Sequence, residues 1–536
     1  MIAVLRLQLR RDRVQLPVWI VLTSALWLVS AQAIRTEFGS PDTAGRLLDA
    51  VIANPGVVAV RGLPDGVRTD QLVFFQVFTF VAILAGLMAT FLVTRHVRGD
   101  EERGRLEVLG ATPVGRSTPL RVVLVLGVVA EVVLGVGSAL AMLLAGFDTG
   151  GSWLAGATVA GVGLAFLGVG ALLGQLLPTG RAANSAGVVV VVGAYLVRAV
   201  GDALGTPDLT RHTIAAAWPS FVTPIGWAEQ VSPFREQRAG WLVALVALGA
   251  VAATVALVLQ RDRDLGASLV RERPGRATAP RMLRSSAALA WRLHAPAAVA
   301  WAVGGGVFGL FAGGLSGAIR DAGAGDAGIQ QVLRALASGG SSSLTDTFVV
   351  AVAGMAGVLG SAAGVQGVLR MRGEETEGRA EAVLATPVAR TRWLLASVAA
   401  AAMSGVVVAV AFGVVAAVTF AATLPADARG ASSLLAGIAQ VPAIAFFTGL
   451  TAVAVAVVPR AAAVVGWGAL ALAYLIGPLG SLLGLADAVV HLSPFTQTPS
   501  VPGPDPQWGG AVVVLVIAVL LGGTAVVAMR RRELTT

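Results

Sequence analysis

The stretch RGDEERGRLEVLGATPVGR at residues 98–116 returns as RGEETEGRAEAVLATPVAR at residues 372–390, 274 residues further on and without a gap. Arg98, Gly99, Glu101, Gly104, Arg105, Glu107, Ala111, Thr112, Pro113, Val114 and Arg116 match Arg372, Gly373, Glu375, Gly378, Arg379, Glu381, Ala385, Thr386, Pro387, Val388 and Arg390. Asp100 and Glu374 form a conservative pair. A second block extends the match: Gly187, Ala194, Tyr195, Leu196, Gly201, Leu204, Gly205 and Asp208 correspond to Gly466, Ala473, Tyr474, Leu475, Gly480, Leu483, Gly484 and Asp487. The chain's only two tyrosines therefore occupy matched positions, and Ser232-Pro233-Phe234 recurs as Ser493-Pro494-Phe495. Self-similarity on this scale marks two fused copies of one unit.

Apolar runs surround both copies, at residues 16–34, 72–94, 120–147, 153–177, 182–200 and 241–259, then at 297–319, 347–369, 393–423, 432–458, 461–483 and 509–529. Each reaches or approaches the ~20 residues a helix needs to cross about 30 Å of hydrocarbon. Composition agrees: 56% of residues are hydrophobic and only 13% charged, about half the charged share of a soluble domain. The expected fold is an all-α integral membrane protein with twelve transmembrane helices in two tandem six-helix halves, 1–262 and 293–532, joined by a connector at 263–292. An even span count gives the halves one orientation. They should then be related by a pseudo-two-fold axis along the membrane normal, with a pathway between them.

Arginines set the orientation. They collect at Arg6, Arg10, Arg11 and Arg13, after the second run, at Arg181, throughout the connector, and at Arg530–Arg532. The positive-inside rule puts these segments and both termini in the cytoplasm of a bacterial plasma-membrane protein. Residues 41–70 and 501–507 then lie outside. Arg10 to Arg13, the first apolar run and Ala31-Gln32-Ala33 imitate a cleavable signal peptide. Cleavage would break the six-plus-six symmetry, so the run is read as a retained span.

Several functions are excluded. The chain has no cysteine, and all 39 of its basic residues are arginine. Thiol catalysis and zinc–thiolate sites are absent, and so is a Walker A loop, which needs lysine. The net charge of +9 is scattered between apolar runs rather than gathered in a patch, which argues against nucleic acid as a partner. His96, His212, His294 and His491 show no metal-ligand spacing, and no nucleophile elbow is present. No catalytic residue, metal or cofactor is expected in this chain.

The repeated segment is too charged to be buried in lipid. Glu101 and Arg105, like Glu375 and Arg379, stand four apart, as a helical ion pair facing solvent would. Leu106 and Leu109 turn inward. Thr112-Pro113 and Thr386-Pro387 read as an N-cap and first helical residue opening the next span. A solvated loop that only enforces topology is one reading. Retention of spacing and identity in both copies favours a docking element for a cytoplasmic partner with two equivalent surfaces.

The sequence here resembles the permease subunits of ABC-2-type exporters, specifically the fused double-length actinobacterial permeases of polyketide-antibiotic and multidrug export. The resemblance covers nearly the whole chain and rests on the six-span halves and the duplicated E-x-x-G-R-x-E-x-x-x-A-T-P-V-x-R element. It implies two copies of a separate ATPase, which bind the ATP and magnesium, and a hydrophobic small-molecule substrate. It also implies coupling roles for Glu101, Gly104, Arg105, Glu107, Arg116, Glu375, Gly378, Arg379, Glu381 and Arg390. By the same resemblance spans two and five border the path, making Phe74, Phe75 and Phe78 drug contacts. A proton-coupled transporter of the major facilitator type also has six plus six spans, but GDEERGR lacks its Asp-Arg-x-Gly-Arg spacing. A membrane scaffold without transport is the least favoured reading.

Within the spans, Glu131 is either a proton- or cation-linked carboxyl or, as the favoured reading, one that is paired with a neighbouring helix or protonated. Its matched residue is Gly405. Tyr195 and Tyr474 either line a path or pack as belt aromatics. Arg198 is expected to snorkel outward from the end of its span.

Overall fold

Gly104 and Gly378 take φ values of +67° and +73°, a left-handed backbone that penalises any residue bearing a Cβ by about 1–2 kcal/mol. Both glycines stand where a membrane-length helix gives way to a short one. The computed structural model describes residues 2–37, 41–52, 55–264, 266–270, 278–280, 283, 285–314, 344–423, 430–480, 485–503 and 506–532. Arg271, Arg273, Arg276, Arg281 and Arg284 of the connector lie outside the described residues.

The chain divides into two units, Met1–Gly275 and Arg276–Thr536. In the first, α1 (Ile2–Asp12) leads into α2 (Gln15–Glu37), followed by the short α3 (Pro41–Ile52) and α4 (Pro55–Arg61). Then come α5 (Thr69–His96), the short α6 (Arg98–Glu102) and α7 (Arg105–Gly110), α8 (Thr118–Leu144), α9 (Thr149–Leu176) and α10 (Gly180–Ala203). A hairpin of β1 (Thr206–Asp208) and β2 (Thr213–Ala215), with Thr206 opposite Ala215, precedes α11 (Pro224–Glu229) and α12 (Gly240–Asp262). The second unit contains α13 (Ser286–Gly314), α14 (Leu344–Thr376), α15 (Arg379–Leu384), α16 (Arg390–Thr423), α17 (Gly430–Ile438), α18 (Val441–Val457), α19 (Ala462–Ile476), α20 (Asp487–Val490) and α21 (Gly509–Arg531).

Among the described residues, eleven helices are long and apolar enough to cross a membrane. The eleventh apolar run of the sequence, 461–483, supplies instead the 15-residue α19, about 22 Å of helix. Residues 481–484 lie outside the described ones.

Side-chain distribution in α21 shows how these helices meet lipid. Ala511, Ala518 and Ala525 recur every seven residues and are buried, while Val512, Val516, Val519 and Leu520 are exposed. Small residues face the bundle and large apolar ones face outward, the reverse of a water-soluble helix. Close approach carries the same logic: a Cβ added to Gly135 of α8 would stand 2.6 Å from the carbonyl oxygen of Gly156 in α9. Polar side chains then fix the helix starts. Asp148 accepts from the Gly151 amide at 2.7 Å ahead of α9, and Thr179 from Ala182 at 3.1 Å ahead of α10.

One local expectation is corrected. Thr112 and Thr386 do not open the following spans, which begin at Thr118 and Arg390. Their hydroxyls donate backward, to the carbonyls of Leu109 at 2.6 Å and Val383 at 2.5 Å, so each threonine closes the short helix behind it.

Replacing Gly104 or Gly378 by alanine should lower the thermal midpoint of the detergent-solubilised chain, by the equivalent of about 1–2 kcal/mol per site. The same change at Gly373, which is helical and has open space around its Cα, should leave the midpoint unchanged or raise it.

Candidate functional site

The duplicated segment folds into an ion clamp that is repeated almost atom for atom. Arg98 and Glu101 lie three apart on α6, and Arg98 Nη1 donates to Glu101 Oε2 at 2.8 Å. Arg263, the residue after α12, donates to the same oxygen at 2.8 Å, and the Gly266 amide donates to Oε1 at 2.6 Å. Arg98 also donates to the carbonyls of Leu177 and Ala267, each at 2.7 Å. In the second unit Arg372 Nη1 meets Glu375 Oε2 at 2.8 Å, and Arg532, the residue after α21, meets it at 2.7 Å. Arg532 also donates to the Val455 carbonyl at 2.9 Å. In both units the carboxylate joins the end of one span to the end of the unit's last helix.

The expected pairing of Glu101 with Arg105, and of Glu375 with Arg379, is therefore corrected. Glu101 and Glu375 point inward and are buried, because the left-handed glycine between each pair interrupts the helix that a four-residue spacing requires. Arg105 instead reaches back across Gly104 to Asp100 at 3.0 Å, and Arg379 across Gly378 to Glu374 at 2.6 Å. Asp100 is also held by Arg11 of α1 at 2.6 Å. Glu107, Arg116, Glu381 and Arg390 are exposed, as are Arg105 and Arg379. Leu106 and Ala380 anchor the short helices inward.

At the opposite end of the first unit lies a cavity of about 350 Å³, within the range that takes a drug-sized molecule. Its apolar wall is Phe74, Phe75 and Phe78 of α5 with Phe221; its polar wall comes from Asp65, the β1–β2 hairpin and residues 229–238. Phe74 stacks on Phe78 with ring centroids 4.5 Å apart and meets Trp27 and Phe234 at 6.1 Å. Below it sits a buried charge cluster. Arg198 Nη1 lies 2.8 Å from Asp202 and 3.2 Å from Glu229 Oε1, and its guanidinium covers the Tyr195 ring at 4.8 Å. Arg198 is fully buried, which corrects the expected outward snorkelling: two carboxylates hold it inside. Burial pushes the Glu229 carboxyl well above the usual carboxylate range, against the pull of Arg198. Asp65, which accepts from Ser232 Oγ at 2.6 Å, is raised by burial to about 6.

Phe74, Phe75 and Phe78 thus share one cavity, whereas Tyr195 packs beneath it against Arg198. Tyr474 borders a small hollow of the second unit with Gln440 and Phe495. Glu131 is buried in mid-helix against Gly163 of α9, and neither carboxylate oxygen has a hydrogen-bond partner among the described residues. Of the two forms of the favoured reading, pairing with a neighbouring helix is absent from those residues, and a protonated carboxyl is not contradicted by them.

Comparison with known proteins follows this architecture from end to end. The multidrug efflux system permease protein Rv1217c of Mycobacterium tuberculosis is 32% identical over 535 residues, covering 99% of this chain and 95% of the relative. The chain belongs to the Rv1217c family of multidrug efflux permeases. The family described as multidrug efflux system permease Rv1217c, C-terminal domain, also matches residues 283–530, which span most of the second unit and include Arg372 and Glu375 of its clamp.

Sequence reasoning did not reach several residues that organise both sites. Arg263 and Arg532 escaped because their partners are more than a hundred residues away, yet a signal exists: each is the arginine just beyond the last span of its half. Asp65 sits in an irregular segment and Glu229 ends the six-residue α11, too short for spacing to carry geometry. Among the described residues, no group of three or more His, Asp or Glu side chains is placed to hold a metal ion.

Removing one partner of a buried ion pair typically costs about 3–5 kcal/mol. Glu101→Gln and Glu375→Gln should each lower the unfolding midpoint by that order, while Glu107→Gln on the exposed face of α7 leaves it unchanged. For Asp65, the raised carboxyl favours the folded state below its ordinary value of 3.8, and that contribution is lost as pH rises through about 6. Asp65→Asn should therefore flatten the stability–pH curve between about 4 and 6 and stabilise the chain above it, read by thermal unfolding across that range.

Proposed function

We propose that the chain is the membrane-spanning subunit of an ATP-driven ABC-2-type exporter that moves hydrophobic or amphipathic compounds, such as antibiotics and drugs, out of the cell. In this reading it has twelve spans in two six-span halves, residues 461–483 supplying the twelfth. The arginine-rich ends face the cytoplasm of a bacterial cell. The chain performs no bond chemistry. ATP and magnesium belong to two copies of a separate ATPase subunit, one for each half.

The observation that carries the reading is the duplication of one surface element. Beyond each clamp a short helix, α7 or α15, is anchored inward by one apolar residue and turns its charged face outward: Glu107 with Val108 in one copy, Glu381 in the other. A surface loop under no constraint beyond topology has no reason to keep the same anchor, left-handed glycine and outward carboxylate twice. An ATPase dimer offers two equivalent surfaces to receive them, and the efflux function carried in the relative's name supports a drug as cargo.

Gentle purification from the native host, with mass-based stoichiometry, tests this. Two ATPase chains per permease are expected, and Glu107→Arg with Glu381→Arg should abolish their co-purification and drug-stimulated ATP hydrolysis without lowering the unfolding midpoint. A chain that purifies alone and transports only under a proton gradient would overturn the reading, with Glu131 then the first residue to test.

A further inference from the structure

Three features of the 350 Å³ cavity in the first unit point to its occupant. The first is charge. In the cluster under its floor, Asp202 and Glu229 share the single guanidinium of Arg198, so burial holds the Glu229 carboxyl toward its neutral form unless a further cation reaches it. Asp202 is saturated by Arg198 at 2.8 Å and by Ser220 Oγ at 2.6 Å. Glu229 is not: Oε1 takes Arg198 and lies near Thr79, while Oε2 has no hydrogen-bond partner among the described residues although its side chain is only 4% exposed. Glu229 and Gln230 both line the cavity. Unpaired polar atoms this deep are costly unless something satisfies them.

The second feature is the wall. Phe74, Phe75 and Phe78 present ring surface beside that carboxylate, and aromatic faces attract cations electrostatically. At the mouth the guanidiniums are already engaged: Arg211 with Asp208 at 3.8 Å, Arg235 with Asp65 at 3.9 Å, Arg238 with Glu236, and Arg61 with Gln76 at 2.8 Å. Three of these four guanidiniums thus face a carboxylate, while Arg61 bonds a neutral amide.

The third feature is the internal repeat. Aligned on Tyr195/Tyr474, Arg198 corresponds to Gly477; aligned on Ser-Pro-Phe, Glu229 corresponds to Val490. Both charges are absent from the second copy, where the Ser493 hydroxyl bonds the Ala473 carbonyl at 2.7 Å instead. The fold of a half does not need the charged pair, so its presence in the first copy calls for a different explanation.

We propose that this cavity binds an amphipathic organic cation, with Glu229 as counter-ion and the Phe74–Phe75–Phe78 wall as its apolar seat. The binding claim stands on the cavity alone; that the bound cation is export cargo rests on the efflux reading above.

The test uses the full chain in lipid nanodiscs and two probes of matched shape and opposite charge, tetraphenylphosphonium and tetraphenylborate, with empty nanodiscs correcting for partition into lipid. Saturable binding of the cation is expected, at least tenfold tighter than the anion and weakened at least tenfold by Glu229→Gln. Because the native chain has no cysteine, Gln230→Cys provides a single thiol in the cavity. Its labelling by a maleimide should be slowed by tetraphenylphosphonium and not by tetraphenylborate, and this readout does not depend on the Glu229 variant folding. Equal binding of the two probes, unchanged affinity in a folded Glu229→Gln, or no thiol protection by the cation would overturn the proposal. Saturable cation binding by the wild-type chain and protection of Gln230→Cys, together with wild-type expression that does not lower cellular accumulation of the cation, uphold the site and count against cargo export alone.

Discussion

Each unit is organised at one end by a carboxylate held between two guanidiniums. Arg98 and Arg263 approach the same oxygen of Glu101, each at 2.8 Å, a spacing at which they would repel one another if the carboxylate were absent. Such a cluster is well shielded from solvent and therefore little weakened by salt. It also fixes much else. With Glu101 turned inward, the chain must reverse immediately to regain the surface, which Gly104 permits; Arg105 can then bridge back to Asp100, and Leu106 anchors α7. The same order of events runs through Glu375, Gly378, Arg379 and Ala380, so one local solution serves both halves.

The opposite end of the units has diverged. The first copy buries an Arg198–Asp202–Glu229 cluster beneath an aromatic-walled cavity; the second places Gly477 and Val490 at the matched positions and has a small hollow beside Tyr474. Charged partners that vanish together are expected of a pair, because keeping one alone would leave an uncompensated buried charge. Duplication thus preserved the end that carries the clamp and freed the other to specialise. Glu131, matched by Gly405, follows the same pattern of asymmetry.

The helical membrane architecture was legible because apolar length is a one-dimensional property, and the charged repeat stood out because identity survives where lipid does not relax it. What spacing could not supply was direction. Glu101 and Arg105 look like a helical pair until the intervening glycine is known to be left-handed, and Arg198 looks like a snorkelling residue until Glu229, thirty-one positions on, is folded back over it. Phe74, Phe75 and Phe78 were readable as a cluster on one span, but their cavity is completed by the hairpin and the 229–238 segment, whose irregular backbone has no period to read. The weak point of the span reading was α19, where an apolar run ends early in turns at residues 477–480.

Clamp and cavity share a helix. α5 runs for 28 residues from Thr69 to His96, about 42 Å, with the cavity's phenyl rings near its start and α6, bearing Arg98 and Glu101, continuing one residue beyond its end. Buried on nearly every side and close-packed against its neighbours, such a helix moves more readily as a rod than by bending. In the proposed exporter, a push on α7 would be passed to α5 through Gly104 and the Asp100–Arg105 bridge, with the clamp tying the end of α12 to it. At the far end the geometry is sensitive to small shifts: Thr79 Oγ1 lies 2.7 Å from the Arg61 carbonyl and 3.2 Å from Glu229 Oε1. Sliding α5 by about 1.5 Å, the rise of a single residue, is enough to carry Thr79 away from Glu229 and change how that carboxylate is satisfied. The electrostatics of the cavity and the position of the surface helix would then be two readings of one displacement.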